Sequence, residues 1–184
     1  MAKTNPYART LHDVGLAAWF GGSLMGAVGL NAAASVAHDA GERTRISAEG
    51  WRRWTPVNAA AIGAHLTGAA ILLGSDRKRL AAQKGVASLA GVKTGLTVAA
   101  LGVTAASRVL GRTVQEGAGS PAAGTTEPAA GTPGDVANAQ KGLKPLQWAV
   151  PALTGALIVV SARMAEQQRA SEVMPGIAHR LLPI

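Results

Sequence analysis

Small and apolar residues fill four long stretches of the chain, separated by polar or turn-rich segments. They are "VGLAAWFGGSLMGAVGLNAAASVA" (14–37), "PVNAAAIGAHLTGAAILLG" (56–74), a third that opens with "GVASLAGVKTGLTVAALGV" and runs over 85–107, and "LQWAVPALTGALIVVSARMA" (146–165). Each is near the about 20 residues that cross about 30 Å of hydrocarbon at about 1.5 Å per residue. Lipid offers no partner to a free backbone N–H or C=O, so all four are expected to be helices. The pattern predicts an all-α fold, an integral membrane four-helix bundle forming a single domain. Between the third and fourth spans, residues 113–142 are rich in Gly, Pro, Ala and Thr, which predicts a long flexible loop with nothing to bury a core.

Lys3 and Arg9 ahead of the first stretch, and "SVA" before His38, imitate a cleavable signal. Signal cores usually hold about 7–15 apolar residues, so the longer run here favours an uncleaved span.

Composition agrees with the pattern. Hydrophobic residues make up 48% and charged residues 15% of the 184, and Cys is absent. That absence excludes disulfides, thiolate metal sites and cysteine nucleophiles. The net charge of +8 comes in short clusters such as "RRW" and "DRKR" that flank apolar runs. With 3% aromatics and no basic stripe, this fits membrane flanks and not nucleic acid. The cluster "DRKR" (76–79) predicts both termini on the cytoplasmic side. Trp51, Trp54 and Trp148 fall near span ends, where indoles suit the membrane interface.

On the first helix, Gly15, Ala18, Gly22, Gly26, Gly29 and Ala33 recur at spacings of three and four and predict a helix-packing stripe that includes a GxxxG pair. Each of the other helices carries a sparse polar seam. These are Asn58 and His65 on the second, Lys93, Thr97, Thr104 and Arg108 on the third, and Thr154 and Ser161 on the fourth. Such seams are expected to face the bundle interior. Lys93 lies about 12 Å in if residue 85 marks the membrane edge. Its stem is expected to lean back toward that edge, where Asp13 or His12 of the first helix offers a partner. An Asp13–Lys93 ion pair would then tie the third helix to the first.

No catalytic constellation is evident. The four histidines His12, His38, His65 and His179 show no pair at matching depth on different helices, which argues against bis-histidine haem. No carboxylate in a span joins His65 to form a metal site. No phosphate loop or paired carboxylates appear. No cofactor or metal is therefore expected.

The stretch "LHDVGLAAWFGGSLMG" (11–26) resembles the first helix of small four-span bacterial membrane proteins, through His12, Trp19, Gly21 and Gly22. The Ala/Arg/Gly bias is similar to that of actinobacterial proteins. The resemblance implies four spans in a bacterial plasma membrane and no particular activity. The expected function is that of a non-enzymatic accessory or assembly subunit. Its partners would be the lipid bilayer and other membrane subunits, or a second copy of itself. The alternative is a small transporter or a quinone- or lipid-binding protein that uses His65 and Lys93.

Overall fold

A computed structural model describes the backbone of residues 5–82 and 84–181, and the side chains of these except 75–87 and 166–181. The chain is helical almost throughout. Helix α1 (Pro6–Met25) starts at Asn5, whose side chain accepts the Ala8 N–H at 3.1 Å, with Pro6 in the first turn where its missing donor costs nothing. A single π-helical turn (Gly26–Leu30) joins α1 to the short α2 (Asn31–Ser35). Helices α3 (Ala40–Ala82), α4 (Lys84–Glu116) and α5 (Gly134–Leu181) follow. Four helical segments, Pro6–Ser35, Ala40–Gly74, Ser88–Glu116 and Gly134–Ala165, are long and apolar enough to cross a membrane by length and composition.

The sequence boundaries fall inside these longer helices. Helix α3 continues through "DRKR" to Ala82, so those residues extend a helix and do not form a loop.

Neighbours in sequence are neighbours in space. Among the described residues, helix α1 packs most extensively on α3, and α4 on α5; α1 also meets α5, and α3 meets α4 with the least extensive contact of the four. This is an up-and-down bundle in which α1 faces α4 across the centre, and α3 faces α5. The indole Nε1 of Trp19 crosses that centre to donate to Thr104 Oγ1 at 3.2 Å. Leu16, Trp19, Ala100, Val150 and Leu157, all buried, form the core around it.

The α1–α3 contact is made backbone to backbone. A Cβ on Gly15 would lie 2.5 Å from the Ala61 carbonyl oxygen and 2.6 Å from the His65 nitrogen. One on Gly68 would lie 2.5 Å from both the Ala8 oxygen and the His12 nitrogen. Further along, Gly22 seats the Trp54 ring and Gly26 the Trp51 ring. Gly29 meets only Met25 of its own helix. Three of the four glycines in the first-helix stripe thus face α3 of the same chain.

The expected loop over 113–142 is shorter and has structure of its own. Residues 113–116 finish α4 and 134–142 begin α5. Between them, β1 (Ala122–Gly124) and β2 (Glu127–Pro128) form a small antiparallel hairpin with Ala122 opposite Pro128. Its carbonyls are satisfied from outside. Arg43 Nη1 donates to the Ala122 and Ala123 carbonyls at 3.1 and 3.0 Å, and the buried Gln140 amide to that of Thr125 at 3.2 Å. The fully buried Thr44 hydroxyl lies 3.0 Å from the Ser120 carbonyl and accepts from the Gly119 N–H at 2.9 Å. Lys144 pairs with Glu127 at 2.8 Å and holds its carboxyl below the usual carboxylate range. The segment lacks large apolar residues, so its order comes from polar side chains at the starts of α3 and α5.

Replacing Gly15 by Ala should force the α1 and α3 backbones apart and destabilise the fold by about 1–3 kcal/mol, the range for overpacking. Gly63→Ala, where an added methyl meets nothing within 4 Å, should not. Thermal unfolding of both variants in detergent separates them; equal midpoints would refute the close-contact reading.

Candidate functional site

The close α1–α3 register brings two histidines together. The His12 and His65 rings have centroids 4.4 Å apart at an interplanar angle of 44°. Both side chains are buried. This corrects the expectation that no two histidines share a level on different helices: α3 runs antiparallel to α1 and returns His65 to the height of His12.

His12 Nδ1 lies 2.7 Å from Asp13 Oδ1, and His65 Nδ1 lies 3.2 Å from the His12 carbonyl oxygen. With both acceptors on the Nδ1 side, the two Nε2 atoms are left buried and without a partner. The rings touch each other, so they are not spaced to sandwich a planar macrocycle. Among the described residues, no group of three or more His, Cys, Asp or Glu side chains could hold a metal ion.

Asp13 does not form the expected ion pair with Lys93. Its carboxylate is taken by Arg9 Nε at 3.0 Å, one helical turn earlier, and by His12. Lys93 is half-buried and stands within electrostatic range of Asp13, His12 and His65, with no hydrogen bond or ion pair to them among the described residues. Thr97, half-buried, turns its hydroxyl back to the Lys93 carbonyl at 2.9 Å. Thr154 does the same to Val150, at 2.8 Å.

Trp19 stands 6.1 Å from His65, centroid to centroid, and separates the histidine pair from a larger feature. A cavity of about 260 Å³ occupies the half of the bundle nearer the hairpin. Helices α3, α4 and α5 supply most of its wall; Ser23 and Asn31 close one side, and Thr125 and Thr126 of the hairpin close the end. His65 and Lys93 do not line it.

On α3 the lining residues Trp51, Trp54, Asn58 and Ile62 fall at spacings of three and four, on one face. Trp51 and Trp54 are therefore walls of the cavity, while Trp148, 51% exposed, points outward. Asn58 presents a buried Oδ1 with no partner. From α4, Thr104, Arg108 and Gln115 contribute polar groups, and Arg108 Nη1 donates to Gln115 Oε1 at 3.0 Å.

The π turn sets one corner of this wall. Its i to i+5 bonding, with the Asn31 N–H on the Gly26 carbonyl, brings residues five apart onto one face. Both then meet the same indole. Gly26 lies under the Trp51 ring, and Asn31 Oδ1 accepts its Nε1 at 3.0 Å. Asn31 Nδ2 in turn donates to Gln147 Oε1 on α5 at 2.8 Å, and the Asn31 carbonyl accepts from Thr125 Oγ1 at 3.0 Å. One buried asparagine thus links α2, α3, α5 and the hairpin.

Asn58 and Arg108 stand out in the sequence, where Trp51 and Trp54 read as membrane-interface residues and nothing marks Asn31 or Gln147. The regular spacing of Trp51, Trp54, Asn58 and Ile62 was the usable signal. The contribution of Asn31 carries no such signal, because it depends on the π turn.

Compared with family models, with curated proteins and with solved structures, the chain matches none.

Asn31→Ala should strand the Trp51 N–H and the Gln147 amide, at about 1–3 kcal/mol for a buried group left unpaired. Asn58→Ala removes an oxygen that has no partner and should cost less. Reversible unfolding in mixed micelles gives the two values, and a reversed order would contradict the network.

Proposed function

We propose that the chain is a non-enzymatic, multi-pass protein of a bacterial plasma membrane that holds a membrane-soluble amphiphile, of the lipid or quinone class, inside its bundle. The observation that carries this reading is the cavity itself, walled by two indoles and edged by the unpartnered Asn58 oxygen. Ligand sites combine an apolar wall with a few polar groups in this way. At about 30 Å³ per water-sized group, its volume holds roughly nine such groups, a headgroup and the first part of a chain. His65 and Lys93 lie outside the lining, so the ligand contacts fall to α3 and α4 residues nearer the hairpin. Four spans put the two ends of the chain on one side. Lys3, Arg9 and "DRKR" favour the cytoplasm for that side, and the resemblance of residues 11–26 favours a bacterial source.

A second reading, an accessory or assembly subunit, draws on the outer face of α4. Gly91, Gly95 and Gly102 are exposed there, and an added Cβ at each would meet nothing within 4 Å. A partner helix can approach closely at such positions. Under this reading the protein leaves native membranes with a bound subunit, and Gly95→Leu releases it.

Native mass spectrometry of protein purified from membranes tests the first reading. Wild type should retain an amphiphile. Gly111→Phe, which adds a ring at a cavity-lining position with open space, should lose it without a lower melting temperature. An empty wild type that also takes up no added lipid or quinone would defeat the reading.

A further inference from the structure

Among the polar groups of the cavity, Arg108 differs in kind. The residue is half-buried, and its one hydrogen bond among the described residues is from Nη1 to a neutral acceptor, Gln115 Oε1 at 3.0 Å. Among the described residues no carboxylate lies within the 4.0 Å of an ion pair with it. A cation inside a membrane bundle is costly unless an opposite charge or a set of acceptors meets it. Gln115 takes one N–H of the fork. The remaining edge, Nε and Nη2, has the geometry that grips two oxygens of a carboxylate or phosphate side-on.

The surroundings fit the rest of such a molecule. Trp51 and Trp54 give the wall flat apolar faces. The cavity is bounded by α3 and α4, which among the described residues make the least contact of the adjacent helices, so an alkyl chain leaves the bundle most easily along their seam. The neighbouring hydroxyl of Thr104 accepts from Trp19 and keeps its own hydrogen to donate.

Resting on the reading of the cavity as an amphiphile site, we infer that its ligand is anionic, with a carboxylate or phosphodiester head bound by Arg108 and a single chain between α3 and α4. A neutral quinone or acylglycerol is then the weaker ligand.

The test uses the full chain in phosphatidylcholine nanodiscs and reads tryptophan quenching by mid-chain brominated probes. The probes are a fatty acid, a lysophosphatidylglycerol, and a monoacylglycerol as the neutral control, each with a single chain. At least one anion should quench saturably at a concentration at least ten-fold lower than the monoacylglycerol. Which anion does so distinguishes a free carboxylate from a lipid phosphodiester. Arg108→Gln should abolish the preference and Arg108→Lys weaken it, while Arg112→Gln, exposed and outside the lining, leaves it intact. Equal quenching by the neutral probe overturns the anion assignment and leaves the amphiphile reading standing. So does an Arg108→Gln protein of native helicity that keeps the preference. Saturable quenching by none of the three overturns both. The comparison of headgroups on wild type decides the matter even if Arg108→Gln does not fold.

Discussion

The structure depends on how closely α1 and α3 approach. Gly15 on one helix and Gly68 on the other admit the opposing backbone at distances that no Cβ would allow. In lipid, where burying apolar side chains between helices gains little, this intimate packing is what holds two helices together. The register it imposes reaches the whole length of the pair. It sets His12 against His65 near one end and lays Trp54 and Trp51 over Gly22 and Gly26 toward the other. The large rings on α3 need the small positions on α1, and the cavity wall follows from that complementarity.

Beyond this pair the bundle is looser. Among the described residues the seam of α3 with α4 is the thinnest, and the cavity lies beside it. Polar groups that would be expensive in hydrocarbon sit at two levels. Asp13, Arg9 and the histidine pair occupy one end; Asn31, Asn58, Arg108, Gln115 and Gln147 surround the cavity. Trp19, bonded to Thr104, stands between them as a plug of apolar surface with one polar contact. The two clusters are thus separate environments, and the imidazoles do not line the cavity.

Much of the helical architecture is legible in the sequence, because spanning length and apolar composition are one-dimensional properties. The small-residue stripe is equally legible, since spacings of three and four place Gly15, Gly22 and Gly26 on one face. What does not appear is depth across an antiparallel pair: nothing local in His12 or His65 reveals that a later helix returns to the same level. The hairpin escapes for a related reason. Apart from Glu127 its own residues are small or neutral, and what orders them (Arg43, Thr44, Gln140, Lys144) lies on the neighbouring helices. The Asp13–Lys93 pair fails as a contact because nearer donors, Arg9 and His12, reach the carboxylate first.

The hairpin's position bears on the order of assembly. It lies in sequence between the last two helices, yet it docks on Arg43 and Thr44, at the start of a helix made much earlier. Asn31 and Gln147, which tie the same end, are separated by more than a hundred residues. The α1–α3 pair can therefore form as soon as its two helices are in the membrane, whereas the chamber is completed only after α5 arrives. Until then its α3 wall stands open on the side that α5 and the hairpin later close, so the chamber is the last part of the fold to take shape.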